Sequence, residues 1–269
     1  FEQNVGSGRV GVGTTVVHEI ERIFRGFRSA LHFASEEHRF YYLRDLIDRA
    51  FLIQNGKIEH EFTGEQFCSL PEETRISYGL RTAYPERDAE HYQEKPHTKD
   101  ETHRLEVHNL SFAYKKGPDI FHNVSFEVHA GDVIGILGHN GAGKTTLLNI
   151  IGLLETPDSG SITLCGARNP SFSSRAAVHL RRHKLSYLFQ NYGLVDTDTV
   201  EANMKLATRF GKAKGKAEKE RIADALAQGG LSGYERRKVY TLSGGEQQRG
   251  ALAKIIKPDT GNPRHYPCG

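Results

Sequence analysis

The stretch DVIGILGHNGAGKTT, residues 132–146, decides the fold. It opens with a continuous apolar run, DVIGILG (132–138), of the kind that forms a buried central strand. It continues as GHNGAGKTT (138–146), which fits the pattern G-x-x-x-x-G-K-[ST], and a helix signal follows at 144–153. A strand, a glycine-rich loop and a helix in this order predict an α/β core with a phosphate-binding loop after the strand.

The residue types in this loop suit a nucleoside triphosphate with Mg²⁺. Gly138, Gly141 and Gly143 would let backbone N–H groups wrap the phosphates, because a Cβ at those positions would obstruct the approach. We expect Lys144 to reach the β- and γ-phosphates and the Thr145 hydroxyl to bind Mg²⁺. The other loop residues expected at the nucleotide are His139, Asn140, Ala142 and Thr146. A glycine-rich turn with an incidental lysine is the weaker interpretation, but the loop alone leaves kinases, GTPases and transport ATPases undivided.

Further elements are indicated on both sides of a linker. Residues 81–104 carry two prolines, many charges and almost no aliphatic side chains, which is typical of a linker. Before the linker, residues 41–58 predict a helix and then a strand that turns at Asn55 and Gly56. After it, the patterns predict strands at 105–114, 123–130 and 185–189 and helices at 199–210, 216–228 and 245–256.

A second motif, LSGGEQQR (242–249), distinguishes between the nucleotide-binding classes. Ser243, Gly244, Gly245 and Glu246 would begin a helix, where free N–H groups and a hydroxyl can meet a phosphate. By itself the string also fits an ordinary N-cap serine. Together with the phosphate-binding loop, it resembles the signature motif of the ATP-binding cassette (ABC) ATPases.

The resemblance implies a P-loop NTPase (RecA-like) α/β fold with an antiparallel β subdomain and a helical subdomain. Tyr114 matches the aromatic residue that stacks on adenine, although a core strand tyrosine is the alternative. Gln190 matches the glutamine that contacts Mg²⁺ and responds to the transmembrane partner. The segment after Gln190 is similar to the start of the helical subdomain that docks on the membrane subunit.

The part before the linker resembles the closing segment of another cassette. Residues 37–68 are similar to tandem ATPases of energy-coupling-factor importers, in which His38 would be the switch histidine near the γ-phosphate. The phosphate-binding loop has the same character, whereas residues 185–256 are more similar to ATPases of bacteriocin, lipoprotein or macrolide exporters. The resulting division is a remnant of a first cassette at 1–80, of which 1–36 need not fold, the linker at 81–104 and a second cassette at 105–269.

The second cassette is expected to be truncated after its signature helix. Hydrolysis in this family needs a strand ending in aspartate and glutamate (Walker B) after that helix, and the sequence departs from the pattern at Pro258. Residues 1–37 contain no such strand either. We therefore expect a chain that binds ATP without hydrolysing it alone. A non-catalytic regulatory module and a chimeric coding sequence remain alternatives, whereas a soluble tandem ATPase of ribosomes is disfavoured by the linker.

Composition limits the partners. The 36 basic and 33 acidic residues leave a net charge of +3, which does not indicate a nucleic-acid partner. Three distant cysteines fit a reducing compartment, and no apolar run approaches the ~20 residues of a membrane span.

Phe1 at the start and a single methionine, Met204, suggest a fragment. The resemblance implies a peripheral location at the cytoplasmic face of the membrane, bound to permease subunits and to a second cassette arranged head to tail.

Overall fold

The structure is a computed structural model. It describes residues 32–34, 47–79, 103–115, 117–129, 132–187, 192–209, 211 and 213–255. These residues form two compact units, one containing the described residues up to Leu185 and the other those from Ser186 onward. Most of the predicted linker and the helix predicted before Arg49 lie outside the described residues.

The first unit is built on a four-stranded sheet that holds the phosphate-binding loop. Its strands are β1 (His32–Ala34), β2 (Arg49–Gln54), β3 (Lys57–Thr63) and β6 (Val133–Leu137), in the order β1-β6-β2-β3. Strand β6 pairs in parallel with both β1 and β2, and β2 pairs antiparallel with β3. All five residues of β6 are buried, as expected for the central strand.

The compact units differ from the division drawn from the sequence. That division separates residues 1–80 from the second cassette, but β2 pairs with β6 in one sheet, and residues 47–79 share a unit with 103–185. Two hydrogen bonds fix this junction: Asp48 N donates to Val133 O (2.9 Å), and Val133 N donates to Asp48 Oδ2 (2.8 Å). The apolar centre of β2 is buried beside β6, a long-range pairing that local patterns do not encode. Descent of residues 1–80 from an earlier cassette stays a prediction.

An antiparallel sheet completes the first unit. Its strands are β4 (His103–Ala113), β5 (Asp119–His129), β7 (Ser159–Leu164) and β8 (Ala167–Arg168), in the order β5-β4-β7-β8. Alternating buried residues of β5 face the core, where the Phe51 and Phe126 rings lie 5.1 Å apart. This sheet confirms the predicted antiparallel subdomain.

Four helices accompany these sheets in the part of the first unit that the structure describes. They are α1 (Gly64–Cys68), α2 (Glu72–Ser77), α3 (Lys144–Ile151) and α4 (Arg175–His183). Thr63 and Gln66 form a capping box at α1, and the Ser174 hydroxyl accepts a hydrogen bond from Ala177 N at the start of α4. Helix α3 begins directly after the phosphate-binding loop, as the sequence predicts.

The second unit is helical. It contains α5 (Val200–Thr208), α6 (Lys216–Gln228), a 3₁₀ turn (Val239–Thr241) and α7 (Gly244–Ile255). Buried side chains from all of them form one core, which includes Met204, Leu226, Val239 and Ala253. The predicted helices at 144–153, 199–210, 216–228 and 245–256 are thus confirmed to within two residues.

One predicted strand differs from the structure. The strand predicted at 185–189 is absent over Leu185–Tyr187, the part of it that the structure describes. No helix in the described ranges has the combined length and apolar character that a membrane crossing requires.

Candidate functional site: a phosphate-binding loop and a signature helix

The loop between β6 and α3 adopts backbone angles that require glycine. Gly138, Gly141 and Gly143 have φ angles of 142°, 83° and 92°. A Cβ at Gly138 would lie 2.5 Å from Ile53 O, and a Cβ at Gly143 would lie 2.6 Å from Ile120 Cγ2. At Gly141 nothing lies within 4 Å of that position. The loop's own packing therefore requires glycine at 138 and 143, while the expected approach of a ligand to these glycines stays a prediction.

Lys144 is held beneath the loop. Its side chain is almost fully buried, and Nζ donates hydrogen bonds to Gly138 O (2.8 Å) and His139 O (2.9 Å). His139 Nδ1 lies 2.8 Å from Asn140 O, and Ala142 N donates to His139 O (3.1 Å). An ammonium group and the positive end of α3 thus meet at a preformed loop, which is the arrangement that binds a polyphosphate.

The hydroxyl groups of the next turn differ in exposure. Thr145 is exposed at the second position of α3, where its hydroxyl is accessible to a cation beside bound phosphates. Thr146 is buried, and its Oγ1 lies 3.4 Å from Tyr114 Oη.

Tyr114 lies just after β4 and is not a core residue. It is 48% exposed, and its ring packs edge-on against Phe112 with centroids 4.9 Å apart. The contact with Thr146 places this ring beside the first turn of α3. An exposed aromatic ring next to a phosphate-binding loop can support a stacked base, so the structure disfavours the alternative of a core tyrosine.

The signature residues begin α7 in the second unit. Ser243 precedes the helix, and both its N–H and its hydroxyl donate to Glu246 Oε2, at 2.7 and 2.9 Å. A Cβ at Gly244 would meet nothing within 4 Å, so the backbone of the first turn is open there. The Ser243 N–H, followed by the Tyr234 hydroxyl, lowers the pKa of the Glu246 carboxyl below its ordinary value.

Two of the predicted site residues, His38 and Gln190, lie outside the described residues, so their roles stay predictions.

Two neighbours of the sites are not indicated by the sequence motifs. They are Ile53, whose carbonyl packs against Gly138 of the loop, and Tyr234, which binds the Glu246 carboxylate. Both come from outside the motifs, and only the tertiary structure brings them there. No group of histidine, cysteine and acidic side chains suited to a metal ion occurs within the described ranges.

Comparison with known proteins identifies the family to which the chain belongs. The family model described as ABC transporter matches residues 121–259. The chain belongs to the ABC transporter family. It is 35% identical over 158 residues to the macrolide export ATP-binding/permease protein MacB of Mannheimia succiniciproducens, covering 56% of this chain and 24% of that protein. It is 31% identical over 154 residues to the ABC transporter ATP-binding protein YxdL of Bacillus subtilis, covering 56% of this chain and 60% of that protein. The chain therefore spans less than two thirds of either curated relative.

Solved structures support the fold. The ATP-binding cassette MJ0796, seen as a dimer in a post-hydrolysis state with ADP and Pi, matches with a TM-score of 0.53 and 28% identity. The match covers 57% of this chain and 69% of that chain. The cassette cbiO1 of Clostridium perfringens, part of a cbiONQ transporter complex, matches with a TM-score of 0.51 at 24% identity, which supports the fold alone. The predicted cassette fold and ABC family are confirmed, while the tandem origin and the truncation stay predictions.

Proposed function

We propose that this chain is the nucleotide-binding part of an ABC transporter and that its first unit binds ATP with Mg²⁺. The observation that carries the proposal is Lys144, whose buried ammonium is already held by the carbonyl groups of a preformed glycine loop. Packing alone does not require a lysine inside a loop with three glycines at positive φ, whereas binding of an anion does.

The residues of the first unit have distinct tasks in this proposal. Backbone N–H groups of the loop and the start of α3 hold the phosphates, and Lys144 neutralises their charge. The exposed ring of Tyr114 supports the adenine. The Thr145 hydroxyl holds Mg²⁺, which would offset negative charge on the phosphates. The family resemblance also assigns Gln190, which lies outside the described residues, to Mg²⁺.

We propose further that residues 1–269 bind ATP without hydrolysing it by themselves. The sequence after α7 departs from the family pattern at Pro258, before any strand that ends in aspartate and glutamate. A water-orienting glutamate contributes about 10²–10⁴-fold to such a rate. His38, which the resemblance matches to the switch histidine, would act in hydrolysis only together with such a glutamate. A purely regulatory nucleotide-binding module fits the same observations.

The partners in this proposal follow from the relatives. MacB is named as an ATP-binding/permease protein, and MJ0796 is a dimer. We propose that this chain works at the cytoplasmic face of a membrane with permease subunits. A second cassette would present its signature residues, equivalent to Ser243, Gly244 and Gly245, to the nucleotide on the phosphate-binding loop.

The test is binding of a fluorescent ATP analogue to the 269-residue chain in the presence of Mg²⁺. Lys144→Ala should weaken binding at least about 100-fold, because a charge-assisted contact to the phosphates is lost. The matched control is Lys216→Ala, since that side chain is 92% exposed in the other unit. Equal affinity for the two variants would contradict the proposal. ATP hydrolysis that disappears in Lys144→Ala would contradict only the non-hydrolytic part.

A further inference from the structure

The carboxylate of Glu246 is held at both of its oxygen atoms. Oε2 accepts the two hydrogen bonds from Ser243, and Oε1 accepts a hydrogen bond from Tyr234 Oη (2.8 Å). Arg237 Nη1 lies 3.8 Å from the same Oε1. The Glu246 side chain is only 19% exposed, so these groups replace much of its water. Glu246 N donates in return to Ser243 Oγ (3.4 Å), so Ser243 and Glu246 form a helix capping box, whereas the contacts to Oε1 come from residues outside the helix.

Tyr234 is fixed independently of α7. Its ring packs against the apolar core of the second unit, and its backbone N–H donates to Leu231 O (3.1 Å). The Arg237 guanidinium lies 4.4 Å over the Tyr234 ring, and Arg237 Nη2 donates to Thr241 O (3.0 Å). The tyrosine hydroxyl therefore reaches Glu246 from a rigid support.

This support settles which way the glutamate faces. A glutamate side chain has three rotatable bonds, and a capping contact on one oxygen leaves the carboxylate free to swing. With Oε1 bound to Tyr234, Oε2 is directed at Ser243 and holds the Ser243 Oγ in one rotamer at the open start of the helix. The single Ser243 O–H proton donates to Oε2 in this structure, so donation to a phosphate requires that O–H to turn away from Oε2 while the Ser243 N–H keeps its bond to the carboxylate. The Tyr234 hydroxyl and Arg237 also offset the carboxylate charge, which would otherwise repel a phosphate approaching Ser243.

We propose that Tyr234 is a positioning residue for the signature serine, acting through Glu246 to present Ser243 to a nucleotide bound on the phosphate-binding loop of a second cassette. This inference rests on the proposed function. Because Tyr234 acts only through Glu246 in this proposal, its loss should weaken assembly of the site between cassettes and leave nucleotide binding by the first unit unchanged.

The experiment measures self-association of the 269-residue chain with Mg²⁺ and ATP by sedimentation velocity, and ATP affinity with the fluorescent analogue. Tyr234→Phe keeps the ring under Arg237 and removes only the hydroxyl. We expect the dissociation constant of the ATP-dependent dimer to rise about 10-fold, as for loss of a hydrogen bond to a charged group, with unchanged ATP affinity. The control is Tyr240→Phe, whose ring is 66% exposed in the same unit and which should behave as the wild type.

A double-mutant cycle separates positioning from a merely structural role. In Glu246→Ala the Tyr234 hydroxyl has no carboxylate to hold, so adding Tyr234→Phe should have no further effect on dimerisation. An equal effect in both backgrounds, or a Tyr234→Phe protein that matches Tyr240→Phe, would overturn the inference. A wild-type chain that binds ATP through Lys144 but never associates would also overturn it, and the proposed nucleotide binding would stand. If ATP affinity did not depend on Lys144, the proposed function itself would be overturned.

Discussion

The backbone carbonyl of Ile53 packs against the α-carbon of Gly138, the first residue of the phosphate-binding loop, so closely that a Cβ there would lie 2.5 Å from the carbonyl oxygen. Ile53 belongs to β2, from the segment before the linker, and Gly138 follows β6. The two strands pair in parallel, which brings the end of β2 to the start of the loop. The conformation of the loop therefore depends on a strand that a local reading of the sequence assigns to another cassette.

Replacing Gly138 should disturb the loop more than replacing Gly141. Gly138→Ala places a methyl group against the Ile53 carbonyl, and we expect a loss of about 2–4 kcal/mol in the free energy of unfolding. Gly141→Ala has open space and should lose only the cost of its positive φ, about 1–2 kcal/mol. Urea denaturation of both variants measures the difference. Equal losses would show that backbone conformation alone, without the contact to Ile53, determines the glycine at 138.

Arg49 joins the segment before the linker to the segment after it, within the first unit. Its Nη1 donates to Glu127 O (2.8 Å), and its Nε donates to Glu61 Oε1 (2.8 Å). The same Nη1 lies 3.7 Å from Oδ2 of the buried Asp132. We expect Arg49→Ala to reduce the free energy of unfolding by about 1–3 kcal/mol, because a carbonyl and a carboxylate lose a charged donor.

The matched control for Arg49 is Lys216→Ala. Lys216 pairs with Glu220 at 3.8 Å on an open helix surface, where removing the ion pair should change stability by less than about 0.5 kcal/mol. Both variants are compared by urea denaturation. An Arg49→Ala protein as stable as Lys216→Ala would contradict the role of Arg49 in joining the two segments.

Asn203 organises the loop before α5. Its side chain is buried, accepts from Val195 N (2.8 Å) and donates to Val195 O and Thr199 O (both 3.1 Å). Asn203→Asp should destabilise the second unit more than Asn203→Ala, because a carboxylate would face two carbonyl oxygens, and the loss should exceed about 2 kcal/mol. Thermal unfolding measures this, with the 46% exposed Leu206→Ala as control. A stable Asn203→Asp protein would show that the loop does not need the donated hydrogen bonds.

Tyr114 should contribute to affinity for the base and not for the phosphates. Tyr114→Ala is expected to weaken ATP binding by about 10-fold, the size of one base–aromatic stacking contact, while Tyr114→Phe retains the ring and the affinity. Inorganic tripolyphosphate, measured by competition, should bind all three proteins equally. If tripolyphosphate binding also falls in Tyr114→Ala, the ring instead supports α3 through its contact with Thr146.

Glu246 should make stability depend on pH in the acid range. Hydrogen bonds from Ser243 and Tyr234 lower the pKa of its carboxyl in the folded state, so its contribution is present above the ordinary pKa near 4.5 and is lost as the pH falls through the lower folded value. Glu246→Gln removes the charge and this dependence. The stability difference between wild type and Glu246→Gln, measured by urea denaturation from pH 7 to pH 3, should shrink below about pH 4.5. A difference that is constant with pH would contradict the lowered pKa.

Local patterns predicted much of the structure because the forces behind them are local. The loop 138–146, the helix at 216–228 and the helix start at Ser243 depend on backbone angles, apolar spacing and capping, which the neighbouring residues set. The strand predicted at 185–189 is absent over Leu185–Tyr187, because the periodicity of a short apolar run does not by itself determine its secondary structure.

The sequence by itself determined the ABC family resemblance, the phosphate-binding loop and the signature helix, since each is a short motif whose chemistry is carried by adjacent residues. Only the tertiary structure decided that β2 lies beside β6, that Ile53 O closes the space at Gly138, and that Tyr234 holds Glu246. These contacts join residues far apart in the chain, and their partners are selected by shared burial and hydrogen-bond geometry in the folded state. No spacing rule along the sequence specifies them.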